Sequence, residues 1–587
     1  MKKQITLLSL LSFVLLTACD FNFSNVVTYQ KTLRVYDLDA RELTEENNDL
    51  KNAYIKDIDA RFIKEEDYIP YLSIAQYASL YESHYRSGVY NDITTLGNKI
   101  IWDITSGSSL YFRASIDTYE KNITKMGDIQ NAFKDDDNPR DIAALNYGLK
   151  MQGESLTPTL YAEKYDYRTA NIKRFSVDKE AYFPLGFLDL TFSYSSGVYF
   201  TYNYQHIFET HDVENYSDKT FKENDRIMTF DQQMRANSDL FIPSYLADYN
   251  ANLFIYLMDN FYGLKDILNI SSMRQYFKNL GYLDALYKTS NAERNYAYSY
   301  LLNSFDDHHT ILVSQNGAWG EEYPARRGEN VNARNKLNAE LTDIRNRYYA
   351  SLGKTPNKDI IFSDDEQTAM FMFDRFFYGE SQQVFNKDGS VKEDAGDHDH
   401  YFQILNVLND LKNNHPTVKN VILDIATNGG GVVGVMLKLL ALLSKDNYCP
   451  LYLYTDTSGE ILRYQASVDI NRDGLYNSED CFGNIFNFYI LTSDCSFSCG
   501  NAFPCTAQIE GLAQVIGQTS GGGECAVAVH YLPNSEYVYH SSNLHLGTYD
   551  EDNKKFIGFE NGAIPDYEIK EIDDSFFDIN KLNALIK

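Results

Sequence analysis

The chain has 587 residues, a length that corresponds to about three domains of ordinary size. Its formal net charge of −29 arises from 82 acidic and 53 basic side chains, so the phosphate backbone of a nucleic acid would be repelled, and we exclude nucleic acid as a partner. The 47 tyrosines and 35 phenylalanines exclude a largely disordered chain and favour well-packed β-structure.

The N-terminal residues 1–19 predict an export signal rather than part of the fold. Lys2 and Lys3 precede an apolar run over residues 5–16, which is too short to span a bilayer. The sequence Leu-Thr-Ala-Cys that ends at Cys19 resembles a bacterial lipobox, which implies cleavage before Cys19 and attachment of lipid to it. The alternative is an ordinary signal peptide with a chance cysteine. Since no later segment of the sequence is long and apolar enough to span a bilayer, we expect an exported protein of the bacterial cell envelope, anchored to a membrane through lipid on Cys19.

The next part of the sequence predicts a tether and a β-rich accessory module. Residues 20–45 are polar, as in a tether. Residues 46–240 alternate short aromatic-rich strands with turns, a pattern typical of an α+β module dominated by strands. Within it, residues 66–72 and 180–186 resemble each other, because each enters an apolar stretch through tyrosine, an apolar residue and proline.

Residues 245–355 predict a helical region. Apolar side chains recur at helical spacing over residues 245–310, and the pattern ends at the polar run Asp306-Asp307-His308-His309-Thr310. The polar stretch that follows contains one further predicted helix, from about residue 332 to residue 352.

From residue 356 to residue 587 the pattern changes to alternating strands and helices. This alternation favours a largely parallel sheet, so we expect an α/β core. The run Asp397-His398-Asp399-His400 directly precedes a predicted helix, and we interpret it as a helix cap rather than a metal site. The predicted strands cover residues 368–373, 418–424, 451–454 and 486–491, and the predicted helices cover residues 400–413 and 434–443.

Two turns in this core carry the chemistry. The first is the glycine turn, residues 426–431 (Ala-Thr-Asn-Gly-Gly-Gly), which lacks the lysine of a P-loop and the spacing of a dinucleotide fingerprint, but lets a ligand approach the backbone amides closely. The second is the serine turn, residues 493–498 (Ser-Asp-Cys-Ser-Phe-Ser), which follows an apolar strand and precedes a helix. A serine at such a turn exposes its hydroxyl beside helix N-terminal amides, which suits a nucleophile with an oxyanion hole, although such serines are more often helix caps.

In their order and spacing, the two turns resemble those of the carboxyl-terminal processing (tail-specific) serine peptidases, and the resemblance extends over the helical region and the core. The family's Asp-x-Arg-x-Asn-x-Gly-Gly motif is matched from Asp424, with Ala426 in place of the arginine. The resemblance implies a ClpP/crotonase-like α/β core, Ser498 as the nucleophile, and the amides of Gly430 and Cys499 as the oxyanion hole.

One departure selects a branch of this family. Many members use a lysine as the general base, within Thr-Phe-Gly-Lys-Gly, and Gly522 stands at the lysine position here. The branch related to the tricorn core protease uses a histidine and a glutamate instead, and its motifs align with His309 and Glu560. The resemblance thus implies a Ser498/His309/Glu560 triad, in which His309 takes the serine proton and Glu560 holds the imidazole. The neighbouring candidates that the sequence leaves open are Ser496, His308, Cys495 and Cys499.

Many family members insert a PDZ domain between the helical region and the core. The interval from Thr310 to the strand that begins at Thr368 is too short for one, so we expect no PDZ domain. Peptide or protein substrates would then be recruited by the N-terminal module instead.

Residues 469–480 predict a calcium loop. Oxygen ligands stand at positions 1, 3, 5, 7, 9 and 12 and glycine at position 6, as in an EF-hand, with aspartate in the last place. The alternative is a polar β-hairpin with an Asp-Gly turn. We expect Ca²⁺ to act as a structural clip there, with no cofactor needed for catalysis. The predicted ligands are Asp469, Asn471, Asp473, Asn477, Asp480 and, through its carbonyl, Leu475.

The six cysteines other than Cys19 all lie in the core, and the sequence leaves open whether they pair or remain buried thiols. Taken with the two turns, the sequence predicts an exported, lipid-anchored serine peptidase that hydrolyses peptide bonds through an acyl-enzyme. The alternatives are a catalytically inactive relative that binds peptides or other ligands at the cell surface, and a hydrolase of a non-peptide ester, which the same triad permits.

Overall fold

The computed structural model describes residues 26–39, 50–134, 143–157, 162–211, 220–223, 226–229, 241–314, 328–533 and 536–587. The predicted export signal and the lipidation site at Cys19 lie outside these residues. Of the predicted tether, residues 26–39 are described, and Thr28–Asp37 form a strand of the N-terminal sheet instead of a free polar segment. Every helix in the described part of the chain is too short or too polar to span a bilayer.

The described chain is a mixed α/β protein with several sheets. The helices are α1 (Ile74–Ala78), α2 (Ala143–Asn146), α3 (Leu185–Ser196), α4 (Ser244–Phe261), α5 (Met273–Asn279), α6 (Leu283–Leu286), α7 (Asn291–Asn303), α8 (Glu329–Ser351), α9 (Ser381–Val384), α10 (His400–Asn414), α11 (Val433–Leu443), α12 (Cys499–Ile509) and α13 (Ile579–Leu585).

The strands of the first half of the chain are β1 (Thr28–Asp37), β2 (Tyr54–Ile63), β3 (Tyr71–Ser73), β4 (Tyr90–Leu96), β5 (Lys99–Ser106), β6 (Ser109–Asp117), β7 (Asn122–Gly127), β8 (Leu149–Ser155), β9 (Glu163–Asp166), β10 (Phe175–Val177), β11 (Glu180–Pro184), β12 (Tyr199–Tyr202), β13 (Ile207–Thr210), β14 (Thr220–Glu223) and β15 (Arg226–Thr229). Those of the second half are β16 (Ile311–Ser314), β17 (Ile361–Phe362), β18 (Thr368–Met372), β19 (Asn420–Asp424), β20 (Cys449–Thr455), β21 (Glu460–Val468), β22 (Asn487–Thr492), β23 (Ala513–Gly517), β24 (Cys525–Tyr531), β25 (Glu536–Asp550), β26 (Lys555–Gly558) and β27 (Tyr567–Glu568).

Two sheets dominate the N-terminal part of the described chain. One has seven strands in the order β10-β11-β3-β2-β1-β13-β12, and the other is a five-stranded meander that ends with β9. The two segments that resemble each other in sequence become neighbours in the first sheet, where β3 and β11 pair with Leu72 opposite Phe183. Each then runs directly into a helix, α1 or α3. The repeated sequence pattern therefore encodes a repeated strand-to-helix unit.

The predicted helical region packs onto these sheets rather than standing apart. Trp102 on β5, Phe187 on α3 and Phe254 on α4 belong to one cluster of buried apolar side chains, which also includes Val538 from β25. The hydrophobic core thus continues across residue 240, because α4 buries its apolar side chains against the N-terminal sheets.

The predicted parallel sheet is present in the core. Its six strands run in the order β17-β18-β19-β22-β23-β27, all parallel except for the β17–β18 pair. Along β19, Leu423 packs into the cluster that holds α10, α11 and α12, whereas Ile422 packs with Leu341 of α8 and Leu582 of α13. Because successive side chains of a strand point to opposite faces, helices cover both sides of the sheet.

The strand expected at residues 451–454 is present as β20, but its placement in the parallel sheet was wrong. It pairs antiparallel with β21 and with β25, in a second seven-stranded sheet. The 15-residue strand β25 provides backbone partners for β16, β20, β24 and β26 in turn. From the N-terminal half, β8 joins the same sheet beside β21. These pairings hold the end of the helical region against the core.

Candidate active site

Ser498 has the backbone geometry of a strained nucleophile turn. It stands between the end of β22 and the first residue of α12, with φ 57° and ψ −124°. A non-glycine residue in such a region costs about 1–3 kcal/mol and persists where the surroundings enforce it, most often at functional sites. Its side chain makes no capping hydrogen bond to the helix, so the ordinary role of a serine at a helix start does not explain it. Its amide donates to the carbonyl of Gly522 at 3.0 Å.

Ser496 has a structural role in the serine turn. Its side chain is fully buried, and its hydroxyl donates to the carbonyl of Ile425 at 2.9 Å. The hydroxyl of Ser493 donates to the carbonyl of Ala426 at 2.5 Å, and the amide of Phe497 donates to the carbonyl of Asn428 at 3.0 Å. Hydrogen bonds therefore hold the serine turn against the glycine turn, and the Ser496 hydroxyl provides one of them.

The cysteines near Ser498 are buried thiols. Burial raises the pKa of Cys495 to about 11 and that of Cys499 to about 12, so both are protonated at neutral pH and poor nucleophiles. The thiol of Cys499 lies 3.1 Å from the carbonyl oxygen of Gly431. All six described cysteines are free and buried.

The glycine turn approaches Ser498 so closely that no side chain fits. Gly430 has φ 109°, and a Cβ atom there would lie 2.7 Å from the Cβ atom of Ser498. The amide of Gly430, an expected oxyanion donor, instead donates to Asn428 Oδ1 at 2.9 Å. Cys499, the other expected donor, is the first residue of α12, so helix geometry leaves its amide without an intrahelical acceptor. Of the two expected donors, only the Cys499 amide is free of an acceptor within the turn.

A buried ion pair that the motif comparison missed anchors the start of the glycine turn. Arg345 on α8 donates to both carboxylate oxygens of Asp424, at 2.7 and 2.9 Å, and to the hydroxyl of Thr427 at 2.6 Å. Both partners are almost completely buried. The resemblance led us to look for an arginine at position 426, where alanine stands. The sequence did contain a sign of this buried arginine, because Arg345 lies between Leu341 and Tyr349 on the apolar face of a predicted helix.

His309 and His308 pack against the ring of Phe497, the residue that precedes Ser498. Their ring centroids lie 4.7 Å and 5.1 Å from that of Phe497. The segment is fixed because β16, which begins at Ile311, pairs with β25, and because the amide of His309 donates to Asp307 Oδ1 at 2.7 Å. Nδ1 of His309 and Nε2 of His308 are buried without a hydrogen-bond partner. Among the described hydrogen bonds, none joins Ser498 Oγ to either imidazole.

Burial keeps both imidazoles neutral. It lowers the pKa of His308 to about 4, and the nearby guanidinium of Arg334 adds to this effect. Burial also lowers the pKa of His309, against the opposing influence of the Asp307 carboxylate and with a further lowering by Arg334. A neutral imidazole can accept a proton, so the electrostatics suit a general base.

Glu560 is next to Gly522, whose carbonyl accepts the amide of Ser498. Its Oε2 accepts the amides of Gly523 at 3.1 Å and of Glu524 at 2.9 Å. Burial, together with the charges of Glu524 and Asp307, raises the pKa of Glu560. Nδ1 of His309 has no hydrogen-bond partner, and among the described hydrogen bonds none joins Glu560 to the imidazole that it was expected to hold.

Gly522 sits where many members of the resembling family carry the lysine. It has φ 78°, and a Cβ atom there would lie 2.5 Å from the carbonyl oxygen of Glu560. Any side chain, and a lysine above all, would therefore displace Glu560 or the Ser498 turn that Gly522 supports.

Glu560 is also hydrogen-bonded to a second group of buried polar side chains, which centres on Glu524 and His545. The imidazole of His545 bridges Glu524 Oε1 and Asp456 Oδ2, each at 2.7 Å, and Glu524 Oε2 accepts the amide of Glu560 at 2.8 Å. Burial opposes protonation, but the hydrogen bonds that the ring shares with Asp456, Cys525 and Glu524, with both carboxylates as acceptors, raise the pKa of His545 to about 12. His545 is thus a fixed cation that supports Glu524 and cannot act as a base. The sequence analysis did not single it out, since its partners are distant in the chain.

The predicted calcium loop is a compact turn whose side-chain oxygens face its own amides. Asp469 Oδ2 accepts the amide of Gly474 at 3.1 Å, and Gly474 at the sixth position has φ 81°. Asp480 is fully buried and accepts the amides of Ile470 and Asn471 at 2.9 and 3.3 Å. Among the described ion pairs, neither Asp469 nor Asp480 has a basic partner. The donor set consists of oxygens, the ligand type that Ca²⁺ takes, and the carboxylate oxygens of Asp469 and Asp480 accept amides of the loop itself.

The comparison with protein families matches one segment of the chain. Residues 393–569 match peptidase family S41, and this segment contains Gly430, Ser498, Cys499 and Glu560. His309 lies outside it. Together with the turn geometry, the match supports a serine-type peptidase in general terms. No curated protein matches the chain.

Several solved structures are similar at low identity. A photosystem II D1 C-terminal processing protease is 14% identical with a TM-score of 0.23, over 35% of this chain and 42% of its own, so the chain spans less than half of that relative. A putative peptidase from Parabacteroides merdae is 17% identical with a TM-score of 0.33, over 53% of this chain and 89% of its own. A lipoprotein from Streptococcus agalactiae is 11% identical with a TM-score of 0.33, over 60% of this chain and 99% of its own.

Proposed function

We propose that this protein is an exported, membrane-anchored serine peptidase that hydrolyses peptide bonds of peptide or protein substrates through an acyl-enzyme. Ser498 is the nucleophile, His309 the general base and Glu560 the residue that orients the imidazolium. The observation that carries the proposal is the strained backbone of Ser498, which has no capping role and lies against the glycine turn. It occurs inside the segment that matches peptidase family S41.

The reaction follows from these groups. Neutral His309 removes the proton from Ser498 Oγ as this oxygen attacks the carbonyl carbon of the scissile bond. The Cys499 amide at the start of α12 stabilises the tetrahedral oxyanion, and the Gly430 amide joins it once Asn428 releases that donor. The imidazolium then gives its proton to the leaving amine, which leaves an acyl-enzyme. Water repeats the sequence, with His309 as base, and frees Ser498.

The proposal requires a local rearrangement before chemistry. His309 and Ser498 are both adjacent to Phe497, so a shift of that ring would bring imidazole and hydroxyl together. Catalytic hydrogen bonds are often long or absent without substrate and tighten when substrate binds. Glu560 would accept from His309 in the same step.

We assign the chain to the Ser/His/Glu branch rather than the Ser/Lys branch. The support is the tight contact of Gly522 with Glu560, which leaves no room for a lysine. We also propose a ClpP/crotonase-like core without a PDZ domain. This is supported by helices on both faces of the parallel sheet and by the short interval between His309 and β18, which contains the 23-residue helix α8.

Two further assignments belong to this proposal. Lipid on Cys19 would anchor the protein to a membrane of the bacterial cell envelope, and its support is the lipobox resemblance in the sequence. Ca²⁺ held by residues 469–480 would clip the segment between the glycine and serine turns. Its support is the pair of buried carboxylates, Asp469 and Asp480, without a basic partner among the described residues.

A second candidate function is that of a catalytically inactive relative that binds peptides. The observations that favour it are the Gly430 amide, already committed to Asn428, and the unpartnered Nδ1 of His309. An esterase acting on a non-peptide substrate would use the same groups as the peptidase.

The test is intact-mass analysis of the calcium-loaded soluble chain, from Asp20 onward, after treatment with a fluorophosphonate. We expect a single adduct that maps to Ser498, and removal of a triad member should slow labelling by about 10⁴-fold or more. His309→Ala should abolish the adduct, whereas His308→Ala, its neighbour in the same contact with Phe497, should retain it. A folded protein that forms no adduct would instead support the inactive relative, and parallel assays on a peptide library and a simple ester separate peptidase from esterase.

A further inference from the structure

A cluster of metal-ligand side chains lies in the N-terminal part of the fold, and none of its residues belongs to the serine turn. His84 follows a short helical turn over Ser79–Tyr81, Glu209 is on β13, and His211 stands just beyond the end of that strand. Residues 209 and 211 are two apart along extended backbone, which directs them to one face. One ligand atom from each of the three residues lies within 4.8 Å of the other two.

The carboxylate of Glu209 is the observation that points to a ligand. The residue is 1% exposed, and only one of its oxygens is accounted for, by His84 Nε2 at 2.8 Å. Its Oε2 is buried and has no hydrogen-bond partner. An unsatisfied buried carboxylate oxygen is costly, and such atoms in native proteins are commonly satisfied by water or an ion. His84 is itself 8% exposed and packs on the ring of Phe133 with centroids 5.2 Å apart.

We infer that His84, Glu209 and His211 bind a divalent transition-metal ion of the zinc type. Two imidazoles and one carboxylate form a donor set that Zn²⁺ accepts, with a fourth position left to water. Around a tetrahedral ion with bonds of about 2.0–2.2 Å, ligand atoms lie about 3.3 Å apart. The 2.8 Å contact between His84 and Glu209 would open slightly and His211 would close in, while the cation would satisfy the free oxygen of Glu209.

The other three-ligand cluster of the described chain does not fit a metal. It consists of Glu524, Cys525 and His545. Both ring nitrogens of His545 already contact carboxylates at 2.7 Å, one from Glu524 and one from Asp456. An imidazole held between two carboxylates is an imidazolium and has no lone pair to offer. We therefore expect zinc to bind at the His84 cluster and not at the His545 cluster, so a variant of the second cluster is a control for variants of the first.

The inferred ion would join two segments of the N-terminal fold. The segment at His84 is already tied to Lys134, whose amide donates to the His84 carbonyl at 2.9 Å. Through Glu209 and His211 the ion would add the end of β13, which pairs in parallel with β1. Its role would be structural, and it is independent of the chemistry proposed for Ser498.

The experiment measures zinc bound by the soluble chain, purified without a histidine tag, stripped with chelator and reloaded with ZnCl₂. Elemental analysis after gel filtration should give one zinc per chain. Loss of a residue that only hydrogen-bonds to a metal ligand weakens metal binding by about 10- to 100-fold. Loss of a ligand itself should weaken zinc binding by at least as much, in each of the variants His84→Ala, Glu209→Gln and His211→Ala. Cys525→Ser and His415→Ala, a partly exposed histidine at the end of α10, should bind like the parent. Cobalt in place of zinc should give the visible absorption of a four-coordinate site, lost in the His84 variant.

Three results would overturn the inference. These are a parent that retains no zinc after reloading, three ligand variants that bind zinc as tightly as the parent, and loss of zinc from Cys525→Ser, which would locate the ion at the other cluster. Far-UV circular dichroism of each variant separates loss of a ligand from loss of fold, and Glu209→Gln keeps the side-chain shape if an alanine variant does not fold. Fluorophosphonate labelling of Ser498 should be the same with and without zinc, so failure of this inference is distinguishable from failure of the peptidase proposal.

Discussion

Replacing Gly522 by alanine tests whether the close approach between this residue and Glu560 shapes the candidate active site. The added Cβ atom would lie 2.5 Å from the Glu560 carbonyl oxygen, a backbone atom that cannot rotate away. Gly522 also has φ 78°, a conformation that L-residues adopt at a cost. Gly511 is a matched control, because it has φ 66° and open space around its missing Cβ.

Gly522→Ala and Gly511→Ala both place alanine at a positive φ, but only Gly522→Ala also brings a Cβ atom too close to another residue. Placing alanine at positive φ costs about 1–2 kcal/mol in the free energy of unfolding, and this is all we expect for Gly511→Ala. Overpacking typically adds about 1–3 kcal/mol, so Gly522→Ala should lose about 2–5 kcal/mol in total. The clash should also displace the Gly522 carbonyl, which accepts the amide of Ser498, and thereby slow labelling of the serine.

The assay is urea unfolding followed by far-UV circular dichroism, beside fluorophosphonate labelling of the folded protein. We expect the order of stability to be parent, Gly511→Ala, then Gly522→Ala, with slower labelling only in the last. Equal stability and equal labelling of the two variants would refute the reasoning, since the chain would then have room for a side chain, and for a lysine, at position 522.

Three further predictions concern the charges around the site. If His309 is the base, its lowered pKa should place the acid-side midpoint of the kcat/KM–pH profile below the usual pKa of histidine. Arg334→Gln removes a positive charge that lowers this pKa, so it should move the midpoint to higher pH. A midpoint that does not move would contradict the assignment of His309. Arg345→Met should cost about 3–5 kcal/mol in the free energy of unfolding, because it leaves the Asp424 carboxylate buried and unpaired. The double variant Arg345→Met/Asp424→Asn should recover part of that loss. A double variant less stable than Arg345→Met alone would exclude the ion-pair explanation. Calcium should raise the thermal unfolding temperature of the parent but not of Asp480→Asn, as checked with and without EDTA, and an equal rise in both would argue for the polar hairpin instead.

The sequence by itself determined what local pattern can encode. Helical spacing predicted α10 and α11, apolar runs predicted β18, β19 and β22, and strand-helix alternation predicted their parallel sheet. The aspartate before a predicted helix was interpreted as a cap, and Asp399 does accept the amides of Tyr401 and Phe402 in the first turn of α10. The small residues of the serine and glycine turns were recognisable because a strand that turns sharply into a helix needs them within a few positions.

Tertiary structure alone decided which distant residues meet. Arg345 and Asp424 are 79 residues apart, and His84 and Glu209 are 125 apart, so no spacing in the sequence joins them. The antiparallel placement of β20 depended on the long edge of β25, and β8 crossed from the N-terminal half to reach the same sheet. Side-chain pairing and sheet membership follow from burial and backbone hydrogen bonding between segments, which local periodicity does not record.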